Sequence, residues 1–157
     1  TVHMDKTKGD DNGIIILEFE NGVIAMAEES WTKPGGMDDR AEIHGTEGVA
    51  YADVLQGNSI RTYSKKGVDY AVEKAGNTVG WSFTIYEEIW NYGFPQEFAH
   101  FVDCVKNDQQ PLVTGEDGKA VLEVIFAAYE SAGTGKKVFL PFATDVDKPY
   151  KLWKKRP

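Results

Sequence analysis

Apolar residues change their spacing once along this chain, and that change limits the folds open to it. Up to about residue 73 they come in short runs separated by turn-forming residues, whereas from Phe98 onward they recur at helical spacing. Strands gathered first and helices after give an α+β fold, not the strand–helix alternation of a parallel sheet. Ile14–Glu20 and Val23–Trp31 read as strands joined at Asn21-Gly22, a pair suited to a type I′ turn with positive φ at both central residues. Asp39–His44 and Val49–Asp53 follow, turning through Gly45-Thr46-Glu47-Gly48. Ser59–Tyr63 and Val68–Glu73 make a third pair around Ser64-Lys65-Lys66-Gly67. Six strands within about 60 residues, each joined by a short turn, predict an open, mostly antiparallel meander.

After an aromatic stretch holding Trp81, Phe83, Tyr86, Trp90, Tyr92 and Phe94, the residues Phe98, Phe101, Val102 and Val105 mark one face of a helix. That helix starts near Pro95, where a missing N–H costs nothing, and stops before Pro111. Thr114-Gly115-Glu116-Asp117 resembles a capping box opening a second helix, with Ala120, Val121, Val124, Ile125 and Ala128 as its stripe and Gly133 and Gly135 at its end. Lys137–Leu140 reads as a last short strand. The expected architecture is the meander with two main helices packed on one face. The run Ile14-Ile15-Ile16-Leu17 asks for more, because a strand wetted on one side alternates and this one does not. Helices cover one face, so the other calls for a second domain or another subunit.

Composition narrows function by exclusion. The formal charge is −8 at pH 7, and the basic residues concentrate in 145–157, so the rest of the chain repels nucleic acid. The basic end reads as a solvated terminus. A single cysteine, Cys104, rules out an internal disulfide framework and fits a reducing compartment. No apolar run is long enough to span a membrane. His3, His44 and His100 lie far apart, so no metal site is expected. His100 falls on the polar side of its helix and reads as exposed, whereas Cys104 reads as a buried or half-buried thiol and not a nucleophile. The pairs Glu28-Glu29 and Asp38-Asp39 are no acid–base pair in themselves, since neighbours on a strand point to opposite faces.

Three segments, taken in order, resemble one family. They are ILEFENGVIAMAEESW at Ile16–Trp31, RAEIHGTEGVAYAD at Arg40–Asp53, and the stretch Tyr92–Phe142 with its Pro111-to-Gly118 connection and its Ser131-Ala132-x-x-Gly135 helix end. Together they are similar to the C-terminal domain of the glucose-fructose oxidoreductase / inositol dehydrogenase / rhizopine-catabolism (Gfo/Idh/MocA) family. That resemblance implies an NAD(P)-dependent oxidoreductase acting on a CH–OH group of a sugar or polyol. It implies NAD or NADP in the full-length protein, bound by an N-terminal Rossmann domain. It also implies homo-oligomerisation through the sheet face and a cytoplasmic location. The family's catalytic lysine follows a glutamate and precedes a proline, and an Asp-x-x-x-His pair precedes the C-terminal sheet. Neither motif is here, nor is Gly-x-Gly-x-x-Gly, so no catalytic residue is assigned and no cofactor is expected to bind this chain alone. The chain starts at Thr1 without an initiator methionine and is expected to be a piece of a larger protein. Residues 1–12 read as a ragged start, 13–142 as a substrate-binding and oligomerisation domain, and 143–157 as a C-terminal tail.

Candidate site residues follow from these readings. Trp31, Lys33 and Asp39 surround a Pro34-Gly35-Gly36 break and suit a polyol, by stacking on its C–H face and by charged hydrogen bonds; the competing reading is an ordinary surface loop. In inositol-dehydrogenase-like relatives a Tyr-x-Tyr pair touches substrate, and here those places fall near Gly35 and Met37, which leaves the substrate open. Tyr92, Phe94 and Gln96 precede the first long helix and either face the pocket or plug the sheet. Trp81 and Trp90 read as core or interface. Ile14 and Ile16, with Arg40, Glu42 and His44 on one strand face, are the interface candidates, a solvated face being the alternative for the last three. Two other functions stay open: a standalone small-ligand or protein-interaction module, and an NAD-dependent glycosidase of the same family.

Overall fold

A computed structural model describes residues 9–34, 38–54, 62–67, 79–82 and 88–153. In chain order the elements are β1 Asn12–Glu18, β2 Ile24–Ser30, β3 Arg40–His44, β4 Val49–Asp53, β5 Thr62–Ser64, β6 Gly80–Ser82, α1 Glu88–Asn91, α2 Phe94–Asn107, α3 Gly115–Thr134 and α4 Tyr150–Trp153. Strands come first and helices after, and every described strand pairing is antiparallel, β1 with β2, β3 with β4, and β5 with β6. The α+β class is as expected. The chain divides into two compact units, Thr1–Gly36 with Leu112–Pro157, and Met37–Pro111.

The first unit is a hairpin, a long helix and a short closing helix. In β1–β2 the register runs from Asn12 opposite Ser30 to Glu18 opposite Ile24. Its turn differs from the expected type I′. Gly22 N–H donates to Phe19 C=O at 2.9 Å and Phe19 N–H to Val23 C=O at 2.9 Å, so the loop is Glu20-Asn21-Gly22. Gly22 alone has positive φ, at 86°, which is the geometry of a three-residue loop ending in a glycine bulge. Period-two pleating puts Gly13, Ile15, Leu17, Ala25, Ala27 and Glu29 on one face and Ile14, Ile16, Ile24, Met26 and Glu28 on the other. Ile15 and Leu17 are half-buried. Ile14 and Ile16 are 65% and 66% exposed. Within this unit the aliphatic run is therefore covered on one face, and the other is bare, the face for which the sequence calls for a second domain or another subunit.

Thr114 opens α3 with a full capping box: its hydroxyl accepts from Asp117 N–H at 3.2 Å, while the Asp117 carboxylate accepts from Thr114 N–H at 2.8 Å. The Thr114 N–H, and then the Thr114 hydroxyl donating to the same carboxylate oxygen at 2.7 Å, hold the Asp117 carboxyl below its ordinary value. Gly135, at φ 69°, ends α3. Gly133 lies inside the helix and does something else. A Cβ there would collide with the backbone carbonyl of Leu152, so a glycine is what lets α4 lie against the last turns of α3. Leu152, 2% exposed, is the most buried apolar side chain described, and Ala127 of α3 is also buried. Residues 145–153 are thus not all solvated tail: Leu152 plugs the core while Lys151 stays outside, paired with Asp147. That pairing lowers Asp147 and raises Lys151. Lys137–Leu140 is not a strand; it has no ladder partner among the described residues and is tethered by the Lys137–Glu18 ion pair and by Phe142 N–H donating to Glu123 Oε1 at 2.5 Å.

The second unit holds β3–β4, β5–β6, α1 and α2. The four-residue loop between β3 and β4 is as read from the sequence, closed by Gly45 N–H to Gly48 C=O at 2.8 Å. β5 pairs with β6, Tyr63 opposite Trp81 with rings 5.4 Å apart; the expected partner strand 68–73 lies outside the described residues. Trp81 and Trp90 are exposed, so neither is core. Pro95 occupies the first turn of α2, and Gly93 (φ 79°) caps it, its carbonyl accepting from Glu97 N–H at 2.9 Å. Cys104 is buried on α2, as expected. His100 departs from its reading: one turn earlier, it is half-buried with Nε2 at 3.6 Å from Cys104 Sγ.

Candidate functional site

In the first unit a cavity of about 500 Å³ opens between the start of β1 and the helices α3 and α4. Its room comes from small residues: Gly13 on the strand and Ala128 and Ala132 on the helix line it where larger side chains would fill the gap. Three aromatic groups shape it, Trp31, Tyr129 and Trp153. The Tyr129 and Trp153 rings meet edge-on at 6.4 Å. The Tyr129 hydroxyl donates to Asp10, and burial followed by that bond raises the phenol above its ordinary value, keeping it a neutral donor.

A polar lattice fixes the mouth. Asn12 Nδ2 donates to Thr32 Oγ1 at 2.6 Å and to Asp11 Oδ1 at 3.1 Å. Ser30 Oγ donates to Asn12 Oδ1 at 2.5 Å and accepts from Lys33 N–H at 3.2 Å. Trp31 N–H donates to Asp11 C=O at 2.9 Å, prolonging the ladder by one residue beyond β2. Asp11 is 3% exposed. The chain on both sides of Trp31 is therefore tied down while the indole itself, 86% exposed, stands at the rim. Residues 9–12, read as part of a ragged start, are built into this site. An aromatic wall beside carboxylates and a phenol can stack on the C–H face of a hydroxylated ring and accept from its hydroxyls.

Of the residues expected to bind substrate, Trp31 and Lys33 belong to this unit, and Lys33 is ion-paired with Glu28. Met37 lies outside the described residues. Asp39, Tyr92, Phe94 and Gln96 belong to the second unit. There Asp39 C=O accepts from Val54 N–H at 3.1 Å, Tyr92 packs edge-on to Phe94 at 6.3 Å, and Gln96 is exposed. Arg40, Glu42 and His44 share one face of β3, opposite Asp53, Tyr51 and Val49. Arg40 pairs with Asp38 at 2.7 Å, and His44 Nε2 lies 3.3 Å from Glu42 Oε2 with its ring edge-on to Tyr51. Among the described residues no group of three or more His, Cys, Asp or Glu could hold a metal ion, and no helix is long and apolar enough to cross a membrane.

Sequence reasoning missed Asp10, Asp11, Tyr129 and Trp153. Tyr129 did leave a signal, as the one aromatic interrupting a helix end rich in alanine and glycine.

Comparison with known proteins adds the family. Residues 2–140 match the profile described as the oxidoreductase family, C-terminal alpha/beta domain (Gfo/Idh/MocA). The scyllo-inositol 2-dehydrogenase (NAD(+)) of Bacillus subtilis (strain 168) is 30% identical over 140 residues, covering 89% of this chain and 37% of that protein. A myo-inositol 2-dehydrogenase of Thermotoga maritima is 25% identical over 130 residues, covering 83% of this chain and 36% of that protein. The crystal structure of GenD2 from gentamicin A biosynthesis, in complex with NAD, superposes with a TM-score of 0.74 at 34% identity, covering 82% of this chain and 36% of that one. This chain thus spans little more than a third of the proteins it matches. With the family profile covering most of its length and the strand-then-helix order in agreement, the chain belongs to the Gfo/Idh/MocA oxidoreductase family, as its C-terminal α/β domain.

Proposed function

We propose that this domain binds substrate and mediates oligomerisation in an NAD(P)-dependent oxidoreductase that acts on a CH–OH group of a sugar or polyol. The observation carrying the reading is the match to a C-terminal family domain in a sequence without any Gly-x-Gly-x-x-Gly turn. Cofactor and catalytic residues then belong to a dinucleotide-binding half, the partner this domain works with in the cytoplasm. Two relatives are named as inositol dehydrogenases, which favours a polyol over a simple alcohol. On this reading Trp31 and the cavity beside it supply stacking and hydrogen bonds that orient the ring, with Lys33, Met37, Asp39, Tyr92, Phe94 and Gln96 as further substrate candidates. The bare face carrying Ile14, Ile16, Ile24 and Met26 is the oligomer contact of the first unit, and Arg40, Glu42 and His44 on β3 are the interface candidates of the second.

The test is activity of a protein joining this domain to a dinucleotide-binding half of the family. NAD(P)H should form with a panel of cyclitols and sugars, and this chain alone should be inactive. No turnover of any polyol by the joined protein would overturn the reading.

A further inference from the structure

We propose that the cavity beside Trp31 selects a hydroxylated ring carrying a protonated amine over the neutral ring. This deepens the reading above and rests on it for the ring. The charge comes from the cavity itself. Its lining includes three carboxylates, Asp10, Asp11 and Glu29, and no lysine, arginine or histidine. Over the exposed one of these, Glu29, a neutral ligand displaces water and returns only hydroxyl donors, whereas an ammonium returns a charge-assisted bond.

The three acids differ in what they can give. Asp10 is engaged by Tyr129, and Asp11 is almost fully buried in the lattice that holds the mouth. Glu29 lies on the cavity face of β2, is exposed, and takes part in no ion pair among the described residues. It is the group left for the ligand's cation. The neighbouring lysine, Lys33, is paired with Glu28 on the other face of the hairpin. Trp31 and Trp153 line the same space, and indole faces attract cations as well as C–H groups. A cavity of about 500 Å³ also falls within the usual range for small-molecule sites.

The test is a titration of this chain with glucosamine, N-acetylglucosamine and glucose at a pH where the free amine is protonated, followed through the Trp31 and Trp153 indole N–H signals. Glucosamine should shift both signals and bind about tenfold or more tightly than the two neutral sugars. Glu29→Gln should remove most of that preference for glucosamine over the two neutral sugars. Ala128→Leu should fill the cavity and weaken all three. Equal binding of the three sugars, or a preference untouched by Glu29→Gln, would overturn the selectivity while sparing the sugar reading. Shifts that persist in Ala128→Leu would mean loose counter-ion binding and overturn the site. Shifts with none of the sugars would overturn it too, without touching the oxidoreductase reading, which stands or falls on the joined protein's activity.

Discussion

Two glycines in one helix should respond to the same substitution with opposite signs. Gly118 lies in the exposed first part of α3 with nothing near the place a Cβ would take. Gly118→Ala should therefore stabilise by about 0.5–1 kcal/mol, the helix-propensity difference alone. Gly133 gains the same propensity term, but its new Cβ runs into the Leu152 carbonyl, with Trp153 Cα a further 3.1 Å neighbour. Both obstacles are backbone, so α4 has to shift as a unit. Undocking it exposes Leu152, whose burial is worth roughly 1.5–3 kcal/mol, and loosens the Trp153–Tyr129 pair, worth roughly 0.5–1.5 kcal/mol. Net of propensity, Gly133→Ala should cost about 1–4 kcal/mol, or roughly 2–16 °C in melting temperature for a chain of this size. Thermal unfolding followed by near-ultraviolet circular dichroism measures both variants, and the Trp153 signal should change in Gly133→Ala alone. A Gly133→Ala protein as stable as Gly118→Ala would refute the close approach of α4.

Further outcomes follow from other sites. Thr114→Ala removes the α3 cap and should cost about 1 kcal/mol in urea unfolding. Because the folded state lowers Asp117, its contribution is present above pH 3.8 and is lost as pH falls through the folded value; in Thr114→Ala that acid-side decline should shrink. Tyr129 is raised, so its contribution is complete below pH 10.0 and is lost as pH rises through the folded value. Tyr129→Phe should flatten the alkaline limb of a stability–pH curve. Ile16→Lys changes an exposed position and should alter stability by no more than about 0.5 kcal/mol. Sedimentation should show wild-type chain associating and Ile16→Lys remaining monomeric; a wild-type chain that stays monomeric at high micromolar concentration would count against the sheet-face contact.

Much of the fold was legible because its signals are local. The β3–β4 loop, the Thr114 capping box, the Pro95 helix start and the Gly135 stop each depend on a few adjacent residues, and all are where the sequence puts them. The Asn21-Gly22 turn was located but mistyped, because the same pair serves both a two-residue loop and a glycine bulge, and strand register decides between them. What stayed hidden was long-range. Gly133 reads as a helix breaker until Leu152, distant in sequence but adjacent in space, shows it to be a contact point. Asp10 and Asp11 look like a polar lead-in until Tyr129, far along the chain, is seen to donate to Asp10, and Asp11 to be buried. Of the candidate site, Trp31 was legible from its place after a strand, whereas the cavity it borders depends on which small residues face one another across two elements.

On the proposed function, redox cofactor binding belongs to a dinucleotide-binding half and not to this domain. Titrating this chain with NADH, and following cofactor fluorescence, tests it most directly. The account predicts no saturable change up to high micromolar cofactor; saturation in the low micromolar range would contradict it.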